Sequence, residues 1–181
     1  MCKRFENLLA FHCSPALFGI KPSNLINVSI KGFPNIVDIV DELNHTFCNK
    51  ICFEILRLTN SSALILVYQA NKLQRALFKE SNYNYLLKYN YPKNKSIREY
   101  IDLLKARLEL TEFPHEIGVF LGYDLNDIVD FEKGDKKCIF IGCWKVFSNP
   151  DEKIKIFNQY TKCKNIVFSL LRKGYSLEGI I

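Results

Sequence analysis

Long apolar runs are missing from this sequence, since no segment approaches the roughly 18 consecutive apolar residues that a membrane-spanning helix requires. A basic cluster near the N-terminus is followed by a segment that His12, Ser14 and Pro15 interrupt, so a secretory signal peptide is not expected. These absences argue against the membrane and secreted classes. We therefore expect a cytoplasmic protein that does not contact a membrane.

Several short motifs of common enzyme and metal chemistry are also missing. The glycines form neither GxGxxG nor GxxxxGK[ST], and the pair in HEIGV lacks the second histidine of HExxH. None of the seven cysteines forms a CxxC pair, so zinc-knuckle spacing is absent. In a reducing cytoplasm these cysteines are predicted to be free thiols that serve mostly as small apolar residues.

Acidic and basic residues are distributed unevenly along the chain. The net charge is +6, but residues 109–135 hold eight acidic residues and one lysine, whereas residues 136–173 hold nine basic and two acidic residues. Because the net charges of these adjacent segments cancel, we expect ion pairs between them rather than a surface with charges of a single sign. A basic and aromatic patch resembles a stacking surface for single-stranded nucleic acid, but its helical spacing is more typical of a core edge: Tyr83, Tyr85, Lys88, Tyr89, Tyr91 and Lys93. Nucleic acid is therefore not an expected partner.

The pattern of elements predicts an α/β (α+β) fold with a single domain over residues 1–181, built as a mixed sheet of about four strands with helices on both faces. Residues 51–58 and 63–68 form a predicted hairpin. Its second strand, the continuously apolar ALILVY, should be a central strand of the sheet, covered on both faces. A capping box at Ser96 and Glu99 starts one helix. Other predicted elements are helices over 3–11, 114–121, 124–133 and from 150, and a last strand over 138–147.

His115 and Glu116 follow Pro114 at the predicted start of a helix. The helix dipole there would favour the Glu116 anion and a neutral imidazole, which accepts a proton or binds a metal. Gly118 and Gly122 fall on the same predicted helical face as His115, so a ligand could approach that backbone closely. The alternative is that a neighbouring element packs there and that His115 is a satisfied core group.

His12 and Cys13 precede Ser14-Pro15, which is typical of a helix N-cap followed by proline at the first helical position. A cysteine beside a helix N-terminus has its thiolate stabilised, so Cys13 is a candidate nucleophile. The alternative is a buried structural cysteine.

Trp144 and Lys145 lie in GCWKVF and point to opposite faces of the predicted last strand. A lysine in an apolar strand is costly unless it reaches water or an anion. We consider two roles for Lys145: a salt bridge to the acidic segment 109–135, or an anion contact at the rim of a pocket floored by Trp144.

The segments HCSPALFGIKPSNL, ALILVY, FPHEIGVFLGYDLNDIVDF and GCWKVF together resemble a bacterial family of uncharacterised function. The resemblance covers nearly the whole chain and departs at Asp124, where the family often has proline, and at Phe147, where tyrosine is usual. It implies a single-domain protein and no particular activity. The matching motif positions are His12, Cys13, His115, Glu116, Gly118, Gly122, Tyr123, Trp144, Lys145 and Cys163.

Three functional hypotheses follow from these residues. The first is a pocket that acts on a small anionic substrate, with Cys13 as nucleophile, His115 as base, Glu116 as its orienter and Lys145 as anion contact; His12, Gly118, Gly122, Tyr123 and Trp144 would bind the substrate. The second is a metal or redox-cofactor site using Cys13, Cys163 and His115. The third is a non-enzymatic binding or regulatory module. The sequence leaves the cofactor and the oligomeric state open.

Overall fold

A three-stranded antiparallel sheet separates two hydrophobic cores. The computed structural model describes residues 2–48, 50–93, 95–110 and 113–181. The strands are β1 (Ser23–Ser29), β2 (Cys52–Leu58) and β3 (Ser62–Tyr68), in the order β1-β3-β2. The hairpin β2–β3 and the central position of β3 are confirmed.

The first core lies between the sheet and a layer of helices. These helices are α1 (Lys3–Leu17), α2 (Ile36–Thr46), α8 (Pro150–Arg172) and α9 (Leu177–Ile180). Ile65 and Val67 of β3 belong to this core, together with Cys13 of α1 and Cys163 of α8. Because side chains alternate across a strand, the intervening residues of β3 point to the other face.

The second core lies on that other face. Its helices are α3 (Ala70–Leu77), α4 (Glu80–Leu87), α5 (Ile97–Leu108), α6 (Ile117–Phe120) and α7 (Leu125–Lys133). Leu64 and Leu66 of β3 are buried here, as are Tyr85 and Tyr91. Most of the predicted aromatic patch therefore packs at or in a core, and the hydroxyls of Tyr85 and Tyr89 donate to the Glu132 carboxylate.

The capping signals of α5 and α7 mark the ends of these helices correctly. Ser96 and Glu99 form the reciprocal capping box of α5, and the Asp124 carboxylate caps α7 by accepting from the Asn126 N–H at 2.9 Å. Gly134 ends α7 in the left-handed region, with φ +69°. The predicted α/β (α+β) class and the helices on both faces are confirmed.

The sheet itself differs from the expected mixed sheet of about four strands. Residues 138–147 do not form a fourth strand; they contain a short hairpin of β4 (Phe140–Ile141) and β5 (Lys145–Val146). The Asp127 carboxylate accepts from the backbone N–H groups of Phe147 and Ser148, at 2.9 and 3.1 Å. These donors are therefore not available to a neighbouring strand.

Helix α1 continues through Pro15 instead of ending at His12. Pro15 has no N–H to donate to the preceding turn, and the Ser14 hydroxyl donates to the Ala10 carbonyl inside the helix. Cys13 therefore lies in a helix interior rather than beside a helix N-terminus. Helix α6 is also shorter than expected, so His115 and Glu116 precede it.

Acidic and basic segments are joined by ion pairs, as the charge distribution predicted. Lys136 pairs with Asp130 and Lys153 with Asp124, each at 2.8 Å. Within the ranges that the structure describes, no helix is both long and apolar enough to cross a membrane.

Candidate functional site

A cavity of about 620 Å³ lies between the first helix, the second core and the β4–β5 hairpin. Its size is within the range of small-molecule sites, roughly 300–1,000 Å³. We call it the cationic cavity because most of its charged groups are basic. Its lining residues are Phe11, His12, Pro15, Lys21, Asn24, Leu25, Phe113, Pro114, His115, Ile117, Gly118, Leu121, Tyr123, Asp127, Ile128, Phe131, Cys143, Trp144, Lys145, Tyr160, Thr161 and Lys164.

Six of the residues singled out in the sequence line this cavity, although they come from distant segments. They are His12, His115, Gly118, Tyr123, Trp144 and Lys145. Cys13, Glu116, Gly122 and Cys163 do not line it. The structure therefore brings the two histidines, the tryptophan and the lysine together without the predicted thiol and carboxylate.

Cys13 is fully buried in the first core, with an exposed fraction of 0%. Burial raises the pKa of its thiol far above the ordinary value, and the nearby Lys21 ammonium opposes this only in part. Cys163 is buried in the same core, and burial also raises the pKa of its thiol. Such thiols are protonated and shielded from substrates, so the geometry does not support a nucleophile at Cys13.

Glu116 is also fully buried, at 0% exposure, and faces away from the cavity. Its carboxylate accepts from the Arg107 guanidinium of α5, through both Nε and Nη2. The Tyr91 hydroxyl donates to the same carboxylate at 3.5 Å. Glu116 therefore fastens the segment before α6 to the second core, and the orienting role predicted for it has no geometric support.

The two motif glycines are explained by close packing of side chains. A Cβ at Gly118 would lie 2.9 Å from the Ile128 side chain, and a Cβ at Gly122 would lie 2.5 Å from the Pro22 ring. Gly122 also has φ +68°, which side-chain-bearing residues rarely adopt. The packing alternative considered for these glycines is therefore the one that the structure supports.

Lys21 projects into the cationic cavity from the segment before β1. Only 5% of the residue is exposed, and its ammonium lies 5.2 Å from the Tyr123 ring centroid and 5.8 Å from that of Tyr160. It pairs with no carboxylate among the residues that the structure describes. Burial lowers the pKa of Lys21 from 10.5 to about 8, against a smaller opposing effect of the Cys143 and Cys13 thiols.

Two groups of side chains lie where the cavity opens to solvent, and each consists of a lysine, a phenylalanine and a histidine. Lys164 lies over the Phe11 ring at 4.1 Å, and that ring contacts the His12 ring edge-to-face at 4.7 Å. Lys145 lies over the Phe131 ring at 4.8 Å, and that ring contacts His115 edge-to-face at 5.3 Å. Among the acidic residues of 109–135 that the structure describes, none pairs with Lys145, and its ammonium contacts the Phe131 ring instead.

Partial burial and the Lys164 charge lower the pKa of His12 below its usual value. A neutral imidazole therefore predominates at His12 near pH 7.

Trp144 is held in the cavity wall by Asp127. The indole Nε1–H donates to the Asp127 carboxylate at 2.8 Å, and the ring stacks on Tyr123 at 4.7 Å. The other Asp127 oxygen accepts from the backbone of Phe147 and Ser148. The carboxylate of this lining residue is thus fully engaged in positioning the hairpin.

A family model described as "Protein of unknown function (DUF3793)" matches residues 9–181, which include every lining residue of the cavity. The chain belongs to this family. The predicted membership of a family of uncharacterised function is thereby confirmed. No curated protein and no solved structure matches the chain.

In this DUF3793 member, sequence reasoning missed Lys21, Cys143, Tyr160 and Lys164 as lining residues. Lys21 lies within the motif segment HCSPALFGIKPSNL, and Tyr160 and Lys164 are one helical turn apart on α8. The spacing of four residues places the α8 pair on one face of the helix but does not show what that face contacts. Only the folded arrangement reveals that Lys21 is buried.

The alternative metal site at Cys13, Cys163 and His115 lacks a suitable donor set. In the described part of the chain, no group of three or more His, Cys, Asp or Glu side chains is arranged to hold a metal ion. Both cysteines are core residues, whereas His115 is at the cavity opening.

Proposed function

We propose that this protein binds a small anionic molecule with an apolar portion in the cationic cavity. The observation that carries the proposal is Lys21, a buried lysine that faces the cavity without a described carboxylate partner. Lysine is almost never buried unless it is paired. A bound anion would supply the missing partner.

The remaining charges of the cavity support the same ligand chemistry. Lys145 and Lys164 add two ammonium groups, and the imidazoles of His12 and His115 add ring N–H hydrogen-bond donors. Asp127 is the acidic residue of the described lining set, and its oxygens are occupied by Trp144 and the hairpin backbone. The electrostatic potential in the cavity therefore favours anions, and low-dielectric walls strengthen that preference.

Apolar side chains form much of the remaining wall and indicate what the ligand carries besides its charge. They include Leu25, Ile117, Leu121 and Ile128, next to the rings of Tyr123 and Trp144. Apolar walls with a few placed polar groups are typical of small-molecule sites. We therefore expect an aromatic or branched carboxylate to bind better than a small inorganic anion.

Binding is measurable through Trp144, the single tryptophan of the chain. We would titrate the protein with 3-phenyllactate and follow tryptophan fluorescence, with phenethylamine as a cationic ligand of similar ring size. We expect saturable binding of 3-phenyllactate, weakened by salt, and no saturable response to phenethylamine.

Lys21→Met tests the central contact. A hydrogen bond to a charged group contributes about 1.5–3 kcal/mol, so the affinity for 3-phenyllactate should fall by about 10- to 150-fold. Lys155→Met removes the same charge from an exposed position of α8 outside the cavity and should leave the affinity unchanged. Equal losses in the two variants, or equal binding of the cationic ligand, would contradict the proposal.

The cysteines support a cytoplasmic location as part of the proposal. All seven are free thiols in the structure, and Cys2, Cys48 and Cys143 are exposed. Exposed free thiols are typical of a reducing compartment.

A further inference from the structure

Lys21 differs from the other two lysines of the cationic cavity in its surroundings. Lys145 is exposed and Lys164 is half-buried, so both can hold the charge of an anion while remaining in contact with water. Lys21 is buried, and its ammonium contacts the faces of two tyrosine rings. The cavity therefore provides charged anion contacts at its opening and a desolvated amine inside.

This arrangement is suited to covalent chemistry at the buried amine. Resting on the anion site proposed above, we propose that Lys21 forms an imine with the carbonyl carbon of a 2-oxo acid bound in the cavity. Lys145 and Lys164, which line the same cavity, would attract the carboxylate of that substrate. Desolvation of a lysine is a known way to make its amine nucleophilic.

The tyrosine and cysteine side chains around Lys21 are neutral at neutral pH, so its charged form is stabilised by the faces of two tyrosine rings and by no anion among these groups. Burial raises the pKa of the Tyr160 hydroxyl to about 12 and also raises the pKa of Tyr123, so both phenols stay neutral. Burial likewise raises the pKa of the Cys13 and Cys143 thiols, which stay protonated. The cationic neighbours Lys145 and Lys164 and the imidazoles of His12 and His115 also line the cavity.

A neutral amine is therefore available in the working pH range. With a Lys21 pKa of about 8, about a quarter of the amine is neutral at pH 7.5, roughly 200 times the fraction for an ordinary lysine. Nucleophilicity falls somewhat as basicity falls. We therefore expect a smaller rate advantage, of about tenfold or more.

The proposed step is balanced without an oxidant or a reductant. The nitrogen lone pair of neutral Lys21 attacks the carbonyl carbon, and a proton moves from the nitrogen to the former carbonyl oxygen. The carbon–oxygen bond then breaks while the remaining N–H proton is transferred to the departing oxygen, so that water leaves and a carbon–nitrogen double bond remains. The largely neutral imidazole of His12, which lines the same cavity, is available to move these protons.

Reductive trapping tests the proposal directly. The full chain would be incubated with phenylpyruvate and sodium cyanoborohydride, which reduces an imine in preference to a free ketone, near pH 7.5, then digested and mapped by mass spectrometry. We expect a reduced adduct at Lys21 that forms about tenfold faster than adducts at exposed lysines such as Lys155. Excess 3-phenyllactate has the same ring and carboxylate but a hydroxyl in place of the keto group. It should therefore slow trapping at Lys21.

Two substitutions separate imine formation from simple anion binding. Lys21→Arg keeps a positive charge but has no nucleophilic amine, so it should bind 3-phenyllactate and give no adduct at residue 21. Lys145→Met should weaken binding while leaving Lys21 as the trapped position. Circular dichroism of each variant checks that the fold is retained.

The possible outcomes distinguish the two proposals. If 3-phenyllactate binds but phenylpyruvate gives no preferential adduct at Lys21, the imine is overturned and the anion site stands. If neither ligand changes the Trp144 fluorescence and no adduct is protected by 3-phenyllactate, the anion site fails and the imine fails with it. Trapping at Lys21 that 3-phenyllactate slows supports both.

Discussion

Replacement of Lys21 by methionine should make the protein more stable near pH 7. The wild-type chain must remove an ammonium group from water when it folds, and no described carboxylate compensates for the lost hydration. Methionine has a similar length and no charge, so it keeps most of the packing of the aliphatic stem. A residue that destabilises the fold is expected where binding or chemistry requires it.

The pKa of Lys21 sets the size of this effect. Lowering the pKa from 10.5 to about 8 corresponds to about 3 kcal/mol, at about 1.36 kcal/mol for each pKa unit. Contacts of the ammonium with the Tyr123 and Tyr160 rings offset part of this cost, by about 0.5–2 kcal/mol. We therefore expect Lys21→Met to raise the free energy of unfolding by about 1–3 kcal/mol at pH 7.

The effect should depend on pH with a defined sign. Between pH 8 and pH 10.5 the unfolded chain still holds the Lys21 proton, whereas the folded chain has released it. Stability of the wild type should therefore rise with pH across this window, relative to the variant. Below about pH 8 the full difference is present, and above about pH 10.5 it should vanish.

Urea denaturation followed by circular dichroism at several pH values measures this difference. Tyrosine and cysteine ionisation contributes to both proteins and cancels in the comparison, and Lys155→Met controls for the loss of one surface charge. Near pH 7 the melting temperature should rise by about 2–4 °C for each kcal/mol. A variant that is less stable than the wild type at pH 7, or a difference that is the same at pH 7 and pH 10, would refute the reasoning.

Three further predictions concern residues outside the cavity chemistry. Glu116→Gln leaves the Arg107 guanidinium without its buried partner and should lower the free energy of unfolding by about 2–4 kcal/mol in urea denaturation, since Arg107 retains some solvent contact. Gly122→Ala should destabilise by about 1–3 kcal/mol more than Gly134→Ala in the same assay, because both have positive φ but only Gly122 has a side chain packed against it. Iodoacetamide should leave Cys13 unmodified in the folded protein and label it once urea unfolds the chain, as peptide mass spectrometry would show.

Each of these predictions has a control or a contradicting result. Glu152→Gln removes an exposed carboxylate and should change stability far less than Glu116→Gln. Equal destabilisation by the two glycine substitutions would mean that packing at Gly122 adds nothing to backbone strain. Rapid labelling of Cys13 under native conditions would contradict its burial and would restore it as a candidate nucleophile.

Much of the fold was predictable because its signals are local. The capping box at Ser96, the Asp124 cap and the Gly134 stop depend on hydrogen bonds within a few residues. The apolar run of β3 required burial on both faces, so its central position in the sheet followed from composition alone.

Other local signals were overridden by tertiary contacts. Ser14-Pro15 is a good helix start by itself, yet α1 continues through it because Cys13, Ser14 and Pro15 are all buried in packed surroundings. The segment 138–147 has strand-like composition, but Phe140 and Ile141 pair with Val146 and Lys145 to form a short hairpin beside the cavity. The Asp127 carboxylate accepts from the Phe147 N–H at the end of that hairpin.

The sequence by itself determined which segments hold the polar and aromatic groups of the site, including His12, His115, Trp144 and Lys145. Only the tertiary structure decided which of these groups share a cavity, that Cys13 and Glu116 are buried outside it, and that Lys21 is a buried residue of its lining. The physical reason is that helix caps and strand periodicity depend on neighbours along the chain. The hydration and pKa of a side chain depend instead on whichever distant segments fold around it.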